Sequence, residues 1–540
     1  MKKATKILAL ILTVVLVAGV LCGCGGSNSA REKGKYTYWV KVDSRAAQTI
    51  EEYDDMLMYQ ELQKRTGIDV EFIHPTKGSV GSEAFQILLT SADMPDMVEY
   101  DWSSYPGGAD KAIENKVIIR INEYMEEAAP NYYSYMEGEK AKENNYAYKV
   151  DSLTNKGNYY GFRQLNIGSY RGFGGLYIRK DLLNSWGLDI PVTIDDWTNV
   201  FKTAKENGIK KPLTGTNMFA ITAADNFNGA WHVGKTYHVE DGKVIFSLEC
   251  PEYKEYLKQL SDWFKAGYID PDFLTNDTSV VQGNMTSGTS IATFGFVGSG
   301  IGKLLPAMAD KDPNYDLAAC PYPILKEGDV PWFQELYSES MEPTIAITVA
   351  CGKDDEERYK EAMSFCDYLY SDEGIILKSF GVEGKTFYTE KNPDGSTKYK
   401  YIISDPKEQE KVGAHSVEAV LYHYFRPAGC PGFNQHDDYL DGFYPYAQQK
   451  EAIDIWNTYI DEARKYKLPT LNYTEEEASL SAELTTKCRD KLDATVTDII
   501  RNEVSIDKFD DAVKEAKKNG FDELVKIRQA AYDRYLEKIK

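Results

Sequence analysis

Aromatic side chains set beside carboxylates, amides and guanidinium groups are the part of this sequence best equipped for chemistry. Trp39 stands in a run of aromatic and β-branched residues from Tyr36 to Val42, and Asp43 follows the run. Such a run reads as a strand, and ligands of open α/β sheets meet the C-terminal ends of strands. Both residues are therefore candidate contacts. Between Phe162 and Arg171 the chain gathers Arg163, Gln164, Tyr170 and Arg171. These long side chains suit capture of a polar ligand or internal salt bridges. Trp231 lies beside Gly229 and His232, Trp332 lies in a Pro-rich loop, and Glu383 lies in the stretch Gly381 to Lys385. Flat rings cover apolar faces of a ligand, while acids, amides and arginines bond a polar rim. With 39 Tyr and 8 Trp, most rings must nevertheless be core or amphipathic surface.

Signatures of covalent or metal chemistry are missing. A phosphate loop around Gly295 to Lys303 would need Gly where Val297 stands and Ser or Thr where Leu304 stands. The 6 histidines form no H-E-x-x-H or H-x-x-E-H pattern, and no G-x-S-x-G elbow occurs. Glycoside hydrolysis needs only two suitably placed carboxylates. With 84 acidic residues, spacing in the sequence leaves that one enzymatic alternative open.

The N-terminus carries an address. Lys2, Lys3 and Lys6 precede an apolar stretch, Ile7 to Leu21, interrupted only by Thr13. The stretch is short for a membrane span and suits the core of a signal peptide. Leu21-Cys22-Gly23-Cys24 then resembles a bacterial lipobox, which makes 1–23 the signal peptide and Cys24 the lipidated first residue; an ordinary secretory signal is the alternative. Residues 24–35 are small and polar and read as a flexible tether. Removing 1–23 takes three lysines and no acid, moving the formal charge from −22 to −25. Such a charge argues against nucleic acid as a partner. Of 8 cysteines, Cys250, Cys320, Cys351, Cys366, Cys430 and Cys488 lie beyond the lipobox, with no C-x-x-C among them. A chain this large needs no disulfides, so mostly buried free thiols are expected.

The elements that must position the candidates alternate between strand and helix. A helix is predicted near Asp54 to Arg65 with Gly67 as its stop, a strand at Ile68 to Phe72, a helix at Ala84 to Ala92, and a strand at Met97 to Tyr100 after the Met94-Pro95 turn. Strand patterns resume at Leu176 to Arg179 and Thr344 to Val349. Thr193 and Asp196 form a capping box for a helix that Gly208 closes. Pro251 opens another helix that ends at Gly267, and Glu356 to Tyr370 is helical. Asn392-Pro393-Asp394-Gly395 is a hairpin turn, and the chain from Ala447 is mostly helical. This order implies βαβ units and a largely parallel sheet.

Several segments, in order, resemble the family 1 extracellular solute-binding proteins of maltose-binding type, and within them the large lipoproteins of Gram-positive bacteria. They are Glu61 to Ile68, Leu89-Thr90-Ser91-Ala92-Asp93-Met94-Pro95-Asp96-Met97, Leu176 to Leu183 with Gly187-Leu188 and Pro191-Val192-Thr193, Trp263 to Pro271, Gly381 to Thr386, and Asp507 to Tyr535. The resemblance implies an α/β fold of two lobes (type II, periplasmic-binding-protein-like) with a ligand cleft, a hinge and a helix-rich C-terminus. It places lobe 1 at 36–172 and 343–395 and lobe 2 at 173–342 and 396–540. It further implies that the Asp101-Trp102-Ser103-Ser104-Tyr105 loop supplies a stacking ring and an acid, making Asp101, Trp102 and Tyr105 candidates. By the same likeness, Thr293-Phe294-Gly295-Phe296 delivers Phe296 into the cleft.

The implied function is an ABC importer's binding lipoprotein, a monomer on the outer face of the cytoplasmic membrane. It would capture a carbohydrate by hinge closure, pass it to permease subunits, and use no cofactor or catalysis. A peptide ligand, or sugar sensing through a histidine kinase, is the alternative on the same scaffold. Some relatives carry a calcium loop after the helix matching Ile194 to Asn207. Here Asn207-Gly208-Ile209-Lys210-Lys211-Pro212 lacks the alternating carboxylates calcium needs, and no metal is expected.

Overall fold

The structure, a computed structural model, describes residues 34–144, 146–166, 169–216, 225–434 and 436–539. The signal peptide, Cys24 and nearly all of the tether lie outside the described residues.

Among the described residues, thirteen strands form two main sheets and two hairpins. They are β1 (Lys35–Trp39), β2 (Asp69–Ile73), β3 (Met97–Tyr100), β4 (Phe162–Asn166), β5 (Gly174–Arg179), β6 (Tyr237–Glu240), β7 (Lys243–Phe246), β8 (Ala292–Phe296), β9 (Leu317–Ala319), β10 (Ser340–Ile347), β11 (Phe387–Lys391), β12 (Thr397–Tyr401) and β13 (Gly432–Asn434). The first sheet has the order β13-β4-β10-β3-β1-β2. β1 runs parallel to β3 and β13 parallel to β4, while β10 runs antiparallel to both β3 and β4. Period-two alternation sorts its side chains into two layers. Tyr36 and Tyr38 join Met97, Ile345 and Ile347 in one core, whereas Trp39, Val98 and Ala346 join the other. The helix Gly81–Leu89 covers the second layer with Phe85.

The second sheet, β8-β5-β9, is antiparallel throughout. Its core packs on the helices Ile194–Glu206, Pro251–Lys265 and Glu475–Ile500. The predicted capping box is present: Asp196 N–H donates to Thr193 Oγ1 at 3.1 Å, and Thr193 N–H donates to Asp196 Oδ2 at 2.8 Å. None of the six described cysteines forms a disulfide, and all but Cys250 are buried.

The chain passes from the first sheet to the second after β4, returns before β10, and joins the first sheet again at β13. β13 pairs with β4 in the first sheet, and Tyr401, Leu421, Phe425 and Tyr439 lie in the first lobe's core. The segment from 396 to about 443 therefore packs with the first sheet. Helical propensity alone could not reveal this, because the partners of these helices lie hundreds of residues away.

Helix Ala447–Trp456 fastens to the second lobe. Trp456 lies across β5, with its indole N–H donating to Cys320 O at 3.1 Å. A Cβ on Gly175 would meet that ring at 2.4 Å. Gly175→Val should therefore displace a fully buried indole and cost about 1–3 kcal/mol by overpacking, readable as a lower melting temperature.

Candidate functional site

A cavity of about 470 Å³ lies where the first lobe faces the start of the long C-terminal helix. Small-molecule sites commonly occupy about 300–1,000 Å³. The first lobe supplies Ser103, Tyr105, Asp110, Thr154, Asn155 and Tyr160, and the segment from Leu471 to Ser479 supplies the opposite wall. Local chemistry fixes each wall. Asp101 ends β3 and caps the short turn Trp102–Ser104, its Oδ1 accepting from Ser103 N–H at 3.0 Å and from Ser103 Oγ at 2.6 Å. Asp110, in the first turn of the helix Gly108–Glu114, accepts from Thr154 Oγ1 at 2.6 Å and Asn158 Nδ2 at 2.7 Å. Across the gap, Thr474 and Glu477 form a second capping box that sets the start of Glu475–Ile500.

Tyr160 is held from behind. Its hydroxyl donates to Glu342 Oε1 at 2.7 Å, accepts from Arg163, and lies beside the Arg163–Glu342 ion pair of 2.7 Å. Burial, the larger cause, together with Glu342 raises the Tyr160 phenol far above its usual range, so it stays a neutral hydroxyl. Two donors close the rim. Asn472 Nδ2 and Lys538 Nζ both reach Leu153 O, at 2.9 and 2.8 Å.

Of the residues singled out in the sequence, Tyr105 alone lines this cavity. Trp102 is fully buried, its indole N–H on Val98 O at 3.2 Å and its ring edge-on to Phe85, so it is core and not a stacking surface. Trp39 is likewise core, 4% exposed between Phe85 and Tyr100. Trp231 is buried on Tyr256 in the second lobe. Trp332 has both ring faces covered, by His232 at 4.4 Å and Tyr466 at 3.8 Å, which leaves no face for a ligand.

The polar candidates serve mainly structural roles. Asp43 is bound by Arg45 at 2.6 Å; burial opposes its charge, but the bonds from Arg45 prevail and hold its carboxyl below the usual range. Asp101 is the cap described above. Arg163 is buried behind Tyr160, and Gln164 is buried in β4. Glu383 sits on an exposed turn and accepts from Thr389 Oγ1 at 3.2 Å. Phe296 is half-buried at the end of β8 against Gly174.

Tyr170 and Arg171 belong to the crossings. Tyr170 Oη donates to Asp454 Oδ1 at 3.3 Å. Arg171 donates to Glu339 Oε2 from Nε at 3.0 Å and from a terminal nitrogen at 2.7 Å, and Arg464 takes Glu339 Oε1 at 2.5 Å. Three segments are thus tied at one carboxylate.

The neighbouring Glu335 is held differently. Its Oε2 is buried with no hydrogen-bond partner among the described residues. Burial, only partly opposed by Lys467, pushes its carboxyl up to about 7, while Asp225 adds to the rise. A carboxyl whose folded value lies above its unfolded 4.5 weakens the fold as pH climbs from 4.5 to 7, and the penalty is constant above that. Glu335→Gln should therefore gain stability relative to wild type between pH 5 and 8. Melting temperatures of both proteins across that range check it; parallel curves would remove Glu335 as the cause.

Lining this cavity but not singled out in the sequence are Ser103, Asp110, Thr154, Asn155, Tyr160, Asn472, Tyr473 and Glu475. The T-x-x-E box at Thr474 was a readable signal for a wall at a helix start. Nothing local paired it with residues 103–110.

Two lobes linked by three crossings, with a cavity walled from both sides, define a hinged binding protein. The chain belongs to the family of bacterial extracellular solute-binding proteins, which it matches over residues 46–376. It is 24% identical to lipoprotein LipO of Bacillus subtilis (strain 168) over 540 aligned residues, covering 96% of this chain and 97% of that protein. In structure it is similar to an extracellular solute-binding protein from Bifidobacterium longum subsp. infantis, with a TM-score of 0.69, 17% identity, and coverage of 94% of this chain and 99% of that chain. It is also similar to the Streptococcus pneumoniae ABC-transporter substrate-binding protein FusA in complex with kestose, with a TM-score of 0.64, 17% identity, and coverage of 93% and 99%. These likenesses establish the fold as the two-lobe, type II α/β architecture.

Proposed function

We propose that this protein is the extracytoplasmic receptor of an ABC importer, anchored by lipid at Cys24, and that it closes on an oligosaccharide without altering it. The observation that carries the reading is the inter-lobe cavity. Tyr105, Tyr160 and Tyr473 offer ring surface, while Ser103, Thr154, Asn155, Asn472 and Ser479 offer hydroxyls and amides. That mixture matches the apolar C–H faces and hydroxyl rim of a sugar. The complex of FusA with kestose supports a saccharide on this scaffold. The lipoprotein relative supports the anchor. A ligand touching both walls favours the closed arrangement because it gains contacts there that the open one lacks.

The test is a thermal-shift and calorimetry screen of the mature protein against neutral oligosaccharides, followed by chromatography of the recovered ligand. A saturable rise in melting temperature with the ligand intact is expected. New reducing ends would replace the receptor by a hydrolase, and a rise with peptides alone would replace the ligand class. Tyr105→Ala should weaken binding by about 1–2 kcal/mol through lost ring contact, with a modest fall in melting temperature because the ring also stacks on Trp102.

A further inference from the structure

The charge of the cavity narrows its ligand. Among the described residues its lining contains two carboxylates, Asp110 and Glu475, and no Lys, Arg or His. Of the cations nearby, Arg534 is bound by Glu477 and Lys156 is paired with Glu114, while Lys538 donates to Leu153 O and keeps its charge near Asp110, offsetting one of the two carboxylates in part. Glu475 itself has no ion pair among the described residues. Asp110 has Oδ1 occupied by Thr154 and Asn158, but Oδ2 receives only a long bond of 3.3 Å from Lys156 N–H. Oδ2 can therefore accept from a ligand hydroxyl.

The start of the helix at Glu475 also faces the cavity, and its exposed N–H groups favour anions by about half a charge. That attraction is cancelled in place, because Glu475, Glu476 and Glu477 fill the first turn. The Glu477 N–H is already taken by Thr474 Oγ1 at 3.2 Å.

We infer that Asp110 and Glu475 are specificity residues that reject acidic saccharides, so that the cavity selects an uncharged or amine-bearing oligosaccharide. The inference rests on the carbohydrate-receptor reading and sharpens it. A ligand carboxylate would meet two like charges that Lys538 offsets only in part, a repulsion that water and salt screen most at the exposed Glu475. A hydroxyl or ammonium in the same place gains an acceptor.

The experiment titrates the full mature chain with two matched panels: neutral gluco-, fructo-, manno- and xylo-oligosaccharides, and uronate oligomers from alginate and pectin. Chitosan oligomers serve as the cationic arm. Wild type should bind a member of the neutral or cationic set and bind uronates at least about tenfold more weakly. That discrimination should shrink as salt is raised. Glu475→Gln and Asp110→Asn, which keeps the acceptor for Thr154, should together narrow the gap by raising uronate affinity, while loss of the Asp110 acceptor weakens neutral binding. Uronates binding wild type as tightly as neutral sugars would overturn the charge filter while upholding the receptor. Silence from every saccharide would overturn the receptor reading and the filter with it.

Discussion

Arg426→Ala should lower stability by about 3–5 kcal/mol, because it leaves Glu99 charged, buried and unpaired. The two side chains form a bidentate pair, at 2.9 Å to Oε2 and 2.7 Å to Oε1, and are 2% and 5% exposed. Tyr38 donates to the same carboxylate at 2.6 Å, and Arg426 donates to Tyr59 Oη at 2.8 Å. The cluster joins β1 and β3 to a residue more than 300 positions later. It is therefore a tie between the strands that carry the cavity loop and the late segment that returns to lobe 1. Chemical denaturation of Arg426→Ala measures the loss. The double variant Glu99→Leu, Arg426→Met separates two accounts, since replacing both charges by apolar groups is often nearly neutral. If the single change costs under 1 kcal/mol, the pair is not what locks these strands.

That cluster also marks the limit of what the sequence makes visible. β3 was legible over Met97 to Tyr100 because a turn at Met94-Pro95 precedes a short apolar run. The helix starts at Thr193 and Pro251 were legible because capping chemistry is local. Arg426 gave no such signal, since its meaning depends on Glu99. The cavity loop shows the same division within a few residues. Its place after β3 followed from resemblance, but the turn Trp102–Ser104 folds its tryptophan back under Phe85 and turns Tyr105 toward the gap. A period-two reading cannot resolve that, because the alternation of a strand ends where the turn begins. The far wall depended on contacts between residues 103–160 and 471–479, a pairing that no spacing rule encodes. What the sequence did carry was the class of chemistry, rings among hydroxyl-bonding groups, on a scaffold whose family order is read along the chain.

The rim contacts predict how fast a captured ligand escapes. Asn472 and Lys538 come from separate stretches, a loop and the last helix Asp522–Ile539, yet both donate to Leu153 O. That carbonyl follows the helix Ala147–Ser152 of the first lobe. Arg534 steadies the arrangement by donating to Asn472 O at 3.3 Å and to Glu477. These bonds exist only when the walls are together, so they bias the hinge toward closure whether or not a ligand is present. A neutral donor contributes about 0.5–1.5 kcal/mol net and a charged one about 1.5–3. Losing both should shift the closed–open balance by about 2–4 kcal/mol. The variant Asn472→Ala, Lys538→Met should then release ligand at least about tenfold faster, and its unliganded form should be more extended in small-angle scattering. Association should change less, because the open form already admits ligand. An unchanged release rate together with an unchanged scattering profile would assign closure to the crossings at Glu339 alone, where Arg171 and Arg464 meet. In that case Glu339→Gln, which keeps the shape and removes the charge, should produce the faster release instead.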